Sequence, residues 1–340
     1  MKMAQPTIRD VARRANVSIA SVSRVFNGLD VVSPDTRERV LSAAAELGYV
    51  PHAGARSLSL ARSQAIGAIL PDLHGEFFSE FVRGMEREAS ARDHLLLLSN
   101  MHVGDPRTAP ALKALRGRVD GLVIMAPHVD AAALAAALPS SMPIVLVNTQ
   151  GADGQRPVIG LDNVAGAEAV VDHLVETGRR RLVHIAGPQG NVDAAGRAEG
   201  FRRAVARHGV EGEILQGNFD EASGEAAGHQ LLASQVAWDA VFAANDMMAI
   251  GCLHALRTSG VDVPGRIAVA GFDDVPLARY LSLTTMRVHI AEIGARAVAR
   301  LLGAIESRPD GRGHELHAPE LVVRATTVGG AGAHTATAQK

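Results

Sequence analysis

The sequence predicts an α/β protein with a small all-helical head in front of a larger body built on parallel sheets. Three observations carry this expectation. The first 50 residues hold three short apolar stripes at helical spacing, each bounded by capping residues. From Ala65 the texture changes to short β-rich apolar runs alternating with longer helical patterns, the signature of βαβ units. Those runs form two groups, "AIGAIL", "HLLLLSN", "GLVIMAP" and "PIVLVN", then "RLVHIAG", "AVFAAN" and "IAVAGF", so two sheets in two similar subdomains are expected.

The head elements follow in order. Thr7 with Asp10 three positions on reads as an N-cap with a capping-box-like partner, and Ile8, Val11, Ala12 and Ala15 give one apolar face to a helix ending near Arg14. Asn16-Val17 makes a tight link. Ser18 caps a second helix on which Val22, Val25 and Phe26 follow the i, i+3, i+4 rule. Ser33-Pro34 supplies an N-cap and an N1 proline for a third helix, with Val40, Leu41, Ala44 and Leu47 expected inward and Gly48 as the stop. Three short helices with a tight first turn describe a helix-turn-helix module.

The second helix leaves Ile19, Ala20, Ser21, Ser23 and Arg24 outward, with Asn27 a turn later. Hydroxyls and helix-terminal amides can bond phosphates while a few side chains reach base edges, so this division suits a DNA major groove. A capped surface helix in an ordinary three-helix bundle is the competing reading of these residues alone. Residues 1–60 hold eight Lys or Arg and five Asp or Glu, a balance of +3, and the other 280 carry −5 within a total of −2. A slightly basic head on an acidic body is compatible with nucleic-acid binding, chance asymmetry being the alternative.

Other classes fit poorly. No apolar run reaches the roughly 18 residues of a membrane span, and "MKMAQPTIRDVARR" has no apolar h-region, so a cytoplasmic protein is expected. Cys252 is the only cysteine, which excludes an intrachain disulfide. "HELH", 314–317, lacks the i+4 histidine spacing of a zinc helix, and no P-loop or G-x-S-x-G elbow occurs. No catalytic residue, metal site or cofactor is therefore expected.

"TIRDVARRANVSIASVSRVFNG", continued by "VSPDTRERVLSAAAELGYVPHAGARSL", closely resembles the head of the LacI/GalR family of bacterial transcription regulators. The resemblance implies that Ile19, Ala20 and Arg24 read bases and that Ser21 and Ser23 contact phosphates, with Thr7, Ser18 and Asn27 on the same DNA-facing surface. Arg24 can fork onto guanine, whereas Ile19 and Ala20 offer only apolar contact, for example to a thymine methyl. It also makes 51–64 a hinge in which Ala55 and Leu58 meet DNA, Leu58 as a minor-groove wedge. Gly54 is less usual there and weakens a hinge helix by roughly 1 kcal/mol.

For the body, the resemblance implies a periplasmic-binding-protein-like arrangement of two doubly wound parallel-sheet subdomains, crossed three times by the chain, the last two near 287–292 and 318–322. It implies domains at 1–50, 51–64 and 65–340. The last divides into a subdomain of about 65–160 plus 291–320 and another of about 161–290 plus 321–332. A ligand then sits in the cleft by the carboxyl ends of the strands. The matching cleft positions are Phe77, Phe78, Met125, Asn148, Asp193, Arg197, Phe219, Asn245 and Asp273. Aromatic faces for C–H groups and fixed forks from Arg, Asn and Asp suit a polyol. Against this, Phe77, Phe78 and Phe219 compete as core residues, Asp246 reads first as the cap of the following helix, and Asp273 as a turn residue.

Purine-responsive members carry an arginine and a threonine where this chain has Asn191 and Asp193, which disfavours a base or an anion. A lactose-type member has asparagine where this chain has Met125. The expectation is a homodimeric repressor of carbohydrate-utilisation genes. It holds a pseudo-palindromic double-stranded operator and answers to a small neutral sugar or oligosaccharide. A nucleoside or other metabolite is the alternative effector, and a sugar-binding protein without a DNA role is the rival from another class. The helix "DMMAIGCLHALRTSG", 246–260, resembles a dimer-interface element, and the tail "GGAGAHTATAQK" has no heptads for a zipper tetramer.

Overall fold

The computed structural model describes residues 6–27, 31–50, 62–73, 75–100, 115, 117–129, 142–149, 156–306 and 313–329. The hinge positions Gly54, Ala55 and Leu58 and the tail from 330 lie outside the described residues. The chain divides into two compact units, residues 1–65 with 117–120, and residues 66–116 with 121–340.

The first unit contains α1 (Ile8–Ala15), α2 (Ile19–Phe26) and α3 (Pro34–Leu47). Asp10 accepts hydrogen bonds from both the backbone N–H and the hydroxyl of Thr7, at 2.9 and 2.7 Å, which holds the first turn of α1. Asn16 closes α1 in the left-handed conformation, φ 53°, and Val17 N–H returns to the Ala12 carbonyl, so the chain turns at once into α2. Ser18 and Ser33 cap the next two helices by accepting from the N–H groups of Ser21 and Thr36. Val11, Val22 and Val40 are wholly buried at the meeting point of the three helices.

One inward assignment on α3 is corrected. Leu41 is 49% exposed, and the buried stripe runs through Val40, Ala43 and Ala44, with Leu47 partly covered. Leu41 follows Val40 by one residue and is therefore rotated about 100° off the stripe.

The second unit is built on two sheets. One has the order β11-β5-β4-β3-β1-β2, with β1 (Ala65–Leu70), β2 (Leu95–Asn100), β3 (Gly121–Met125), β4 (Ile144–Val147), β5 (Val158–Leu161) and β11 (His314–His317). The other has the order β7-β6-β8-β9, with β6 (Arg181–Ala186), β7 (Glu211–Gln216), β8 (Ala240–Ala243) and β9 (Ala268–Ala270). The pairs β1/β3, β3/β4, β4/β5, β5/β11, β6/β7, β6/β8 and β8/β9 are all parallel. In each sheet the first strand lies between the second and the third, so the winding reverses at β1/β3 and at β6/β8. Right-handed crossovers then put helices on both faces and open a crevice beyond the strand ends at each reversal.

The seven runs picked from the sequence all become strands. Five further strands do not stand out there: β5, β7, β10 (Thr285–Arg287), β11 and β12 (Glu320–Val322). They are short or lie at sheet edges, where one face stays wet and the apolar signal is diluted. "HELH" is the edge strand β11, paired to β5, and no helix forms there.

The helices of this unit are α4 (Glu76–Ser90), α5 (Asn163–Glu176), α6 (Val192–His208), α7 (Glu221–Ala233), α8 (Asp246–Thr258), α9 (Pro276–Tyr280) and α10 (Ile290–Ile305). Small residues set the approach of two pairs. A Cβ on Gly84 of α4 would strike the backbone of Ala291 in α10, and one on Gly224 of α7 would strike the backbone of Met248 in α8. The chain passes between the two sheet systems after β5, between β10 and α10, and between β11 and β12, the antiparallel pair β10/β12 forming a strap beside the crossings.

Candidate functional site

A cavity of about 420 Å³ opens where the strands of both sheets end. Its walls come from the segments that follow β1, β3, β4, β6, β7, β8 and β9, as the two winding reversals require. All nine body residues singled out from the sequence, Phe77, Phe78, Met125, Asn148, Asp193, Arg197, Phe219, Asn245 and Asp273, line it.

Arg197, on α6, is almost fully buried and rigidly held. Its Nε donates to Asn163 Oδ1 at 2.9 Å, its Nη1 donates to the Ala244 carbonyl, and its guanidinium lies over the Phe272 ring at 3.9 Å. Nη1 also faces Asp273 Oδ1 at 3.5 Å. Asp193, one turn before Arg197, accepts from Asn163 Nδ2 at 2.8 Å. Burial pushes the Asp193 carboxyl up against the opposing pull of Arg197 and of the Asn163 and Asn148 amides. Burial pushes Asp273 up to about 7, with Asp193 adding to the rise and Arg197 opposing it.

Three cavity residues have left-handed backbone. Asn148, Phe219 and Asp273 have φ of 46°, 66° and 115°, a region that side chains with a Cβ rarely enter. Asn245 secures one of them: its Oδ1 caps α8 by accepting from Met248 N–H, and its Nδ2 donates to the Phe219 carbonyl at 2.9 Å. Any side chain at Gly187 would collide with the Phe219 ring, so that glycine leaves the aromatic its space. Phe77 and Phe78 meet edge to face, centroids 5.4 Å apart, at the start of α4. All three phenylalanines are half-buried cavity walls that also pack on the core, so the two readings of them coincide.

Asp246 is corrected. Asn245 is the cap of α8, and Asp246 is fully buried, accepting from Thr285 hydroxyl at 2.6 Å and from Val275 N–H at 2.9 Å. Asp273 sits in no ordinary turn, since its N–H bonds the Met286 carbonyl beside the strap. Sequence reasoning passed over His128 and Asp72 as wall residues and treated Asn191 only as a point of difference. Asn191 was findable as the cap of α6, accepting from the N–H groups of Asp193 and Ala194. His128 stands just beyond β3, where a strand-end rule points to it. Burial lowers its pKa, and its Nε2 is 3.4 Å from the Asn191 amide.

In the head, Ile19, Ala20 and Arg24 are exposed along one side of α2, while Val22 and Val25 turn inward. Ser18 and Ser21 hydroxyls lie 2.9 Å apart at its start, and Ser23 accepts from the Asn27 amide at 3.3 Å. Thr7 is exposed at the start of α1, its hydroxyl donating to Asp10. Ala55 and Leu58 lie outside the described residues. Among the described residues no group of three His, Cys, Asp or Glu side chains is placed to hold a metal, and no helix is long and apolar enough to cross a membrane.

Comparison with known proteins agrees with this division. Residues 7–52 match the family described as bacterial regulatory proteins, lacI family, and residues 171–327 match a periplasmic binding protein-like domain. The ribose operon repressor of Halalkalibacterium halodurans is 34% identical over 95% of this chain and 98% of its own length. The lac repressor dimer bound to operator and the anti-inducer ONPF superposes with a TM-score of 0.85 at 30% identity, over 95% of this chain and 99% of that one. The transcriptional regulator CelR in complex with cellobiose gives 0.71 at 30% identity, over 94% and 99%. Head, cleft and full-length likeness together make this chain a member of the lacI family of bacterial regulatory proteins.

Proposed function

We propose that this protein is a cytoplasmic, homodimeric transcriptional repressor of carbohydrate-utilisation genes whose operator binding is governed by a small neutral sugar held in the cleft. One observation carries the reading. A single chain joins a helix-turn-helix head, exposed along Ile19, Ala20 and Arg24, to a cavity whose polar forks are held by hydrogen bonds within the protein. Forks fixed by the protein itself spare the entropy of ordering them and suit a polyol with many hydroxyls.

Two heads on a dimer present two copies of α2 to a pseudo-palindrome with half-sites about one helical turn apart. The reading keeps the head at 1–50, the hinge at 51–64 and the effector body at 65–340. It assigns the segment 246–260, which contains α8, to the dimer contact. It assigns no catalytic step, because the relatives are regulators and the cleft carboxyls serve as hydrogen-bonding groups. Effector acts through unequal affinity for two body conformations, which is the only way a ligand can shift them.

The test is a mobility-shift titration of the full-length protein on its own upstream region, with and without each sugar that raises its melting temperature in a thermal-shift panel. Operator binding altered by a sugar supports the reading. Stabilisation by nucleosides alone, or failure to bind that DNA in any condition, sinks it.

A further inference from the structure

Among the described residues each long helix of the body packs along a helix of its own sheet system, α4 on α10, α5 on α6 and α7 on α8, and none packs along a helix of the other system. Hydrogen bonds join the two systems at the cavity rim instead. On one side the Val192 N–H that opens α6 donates to the Pro127 carbonyl at 2.9 Å. On the other, Glu76 Oε2 accepts from Leu277 N–H at 3.1 Å, across 201 positions of sequence.

Glu76 is the first residue of α4 and stands between Gly75 and Phe77, both cavity residues. Leu277 is the second residue of α9, behind Pro276, which has no N–H to give. The first donor of α9 is thus held by a side chain of the opposite system. Past this bond the surface opens again into a groove of about 210 Å³, lined by Glu80, one turn after Glu76, with Asp274, Pro276, Arg287 and His289. The bond stands between two spaces, and a charged acceptor makes it stronger than a neutral one.

We propose that Glu76 is a latch across the mouth of the cleft: its carboxylate fastens α4 to α9 and biases the body toward the arrangement in which the two walls stand together. The bond exists only while the walls are together and is lost when they part, which is the unequal stabilisation that a population shift requires. The inference goes beyond the functional reading and assumes nothing about what the cleft binds.

The test is a spin-label distance measurement on the full-length protein with no sugar added. Labels are placed at Ser90→Cys on α4 and Ala206→Cys on α6, both exposed positions, while Cys252 is fully buried and stays unlabelled. Dilution with unlabelled protein leaves only the distances within one chain. Three variants separate reach from charge. Glu76→Ala removes both, Glu76→Asp keeps the charge at the start of α4 but falls one methylene short, and Glu76→Gln keeps an acceptor oxygen at full reach. The expected result is at least a threefold rise in the share of longer distances in Glu76→Ala and in Glu76→Asp, with Glu76→Gln close to wild type, at a native thermal transition in each.

Distributions that superpose on wild type in both Glu76→Ala and Glu76→Asp overturn the latch. Opening in Glu76→Gln equal to that in Glu76→Ala overturns the assignment of the bond to an acceptor at that reach. Should Glu76→Ala fail to fold, the comparison of Glu76→Asp with Glu76→Gln decides alone. None of these outcomes touches the sugar reading, which the titration of operator and sugar tests separately.

Discussion

Arg197 Nη1 stands 3.5 Å from Asp273 Oδ1, with both side chains no more than 5% exposed. The gap exceeds a good hydrogen bond, so Asp273 faces the guanidinium while its Oδ1 stays without a hydrogen-bond partner. Arg197→Ala and Asp273→Ala should each weaken effector binding by one to two decades, from about 1–3 kcal/mol per stranded polar group. Operator affinity without effector should stay near wild type. Because the two side chains share one contact, calorimetry on the double variant should show non-additivity. Undiminished affinity in both single variants would remove the pair from the site.

Asp273 also gives the fold a pH dependence of defined sign. Its folded pKa, about 7, lies above the ordinary 3.8 because of burial and of Asp193. The stabilisation is therefore present below about pH 4 and lost as pH rises through about 7, on the order of 4 kcal/mol at full titration. Urea unfolding of Asp273→Asn at pH 5 and pH 8 should show a smaller stability difference than wild type. An unchanged difference would mean that the carboxyl titrates as if in water.

His184 acts in the opposite direction. It is fully buried between Phe201 and Phe242, with ring centroids at 5.2 and 4.7 Å, and burial lowers its pKa to about 3. A depressed histidine contributes stability above its ordinary 6.5 that is lost as pH falls from there toward 3. His184→Leu should flatten the decline in melting temperature between pH 6.5 and 4. A parallel decline in the variant would assign acid sensitivity to other groups.

Gly224→Ala tests the close approach of α7 and α8. The added methyl collides with the Met248 backbone, which cannot move without the helix. Overpacking should cost about 1–3 kcal/mol, read as a lower urea midpoint at unchanged slope. A midpoint equal to wild type would show that the pair separates freely.

Arg24 is exposed on α2 as its only long cationic side chain. Arg24→Ala should weaken specific operator binding by roughly 1–3 kcal/mol and relax preference at one base pair per half-site. Mobility shifts on operators substituted one base pair at a time decide this, and unaltered discrimination would take Arg24 out of base reading.

By itself the sequence determined whatever depends on near neighbours. The caps Ser18 and Ser33, the stop at Gly48, the Val22 and Val25 stripe and seven strands follow from periods of 3.6 and 2 and from side-chain bonds spanning three residues. The nine cleft positions were legible through the family resemblance, and the fold carries them to one crevice beyond the ends of seven strands.

Only tertiary structure decided the rest. The strands β5, β7, β10, β11 and β12 exist because partners reach them from elsewhere in the chain, and Leu41 points outward because the rotation of α3 is set by the other two helices. Asp246 leaves the capping role for a buried bond to Thr285, and Phe219 is held at positive φ by Asn245. Asp273 and His184 acquire shifted pKa values from desolvation by distant residues. A local pattern encodes what a side chain can do within a turn or two. Its final environment is a sum over long-range contacts, and those determine which polar group is left unpaired, which backbone is strained and which carboxyl keeps its proton.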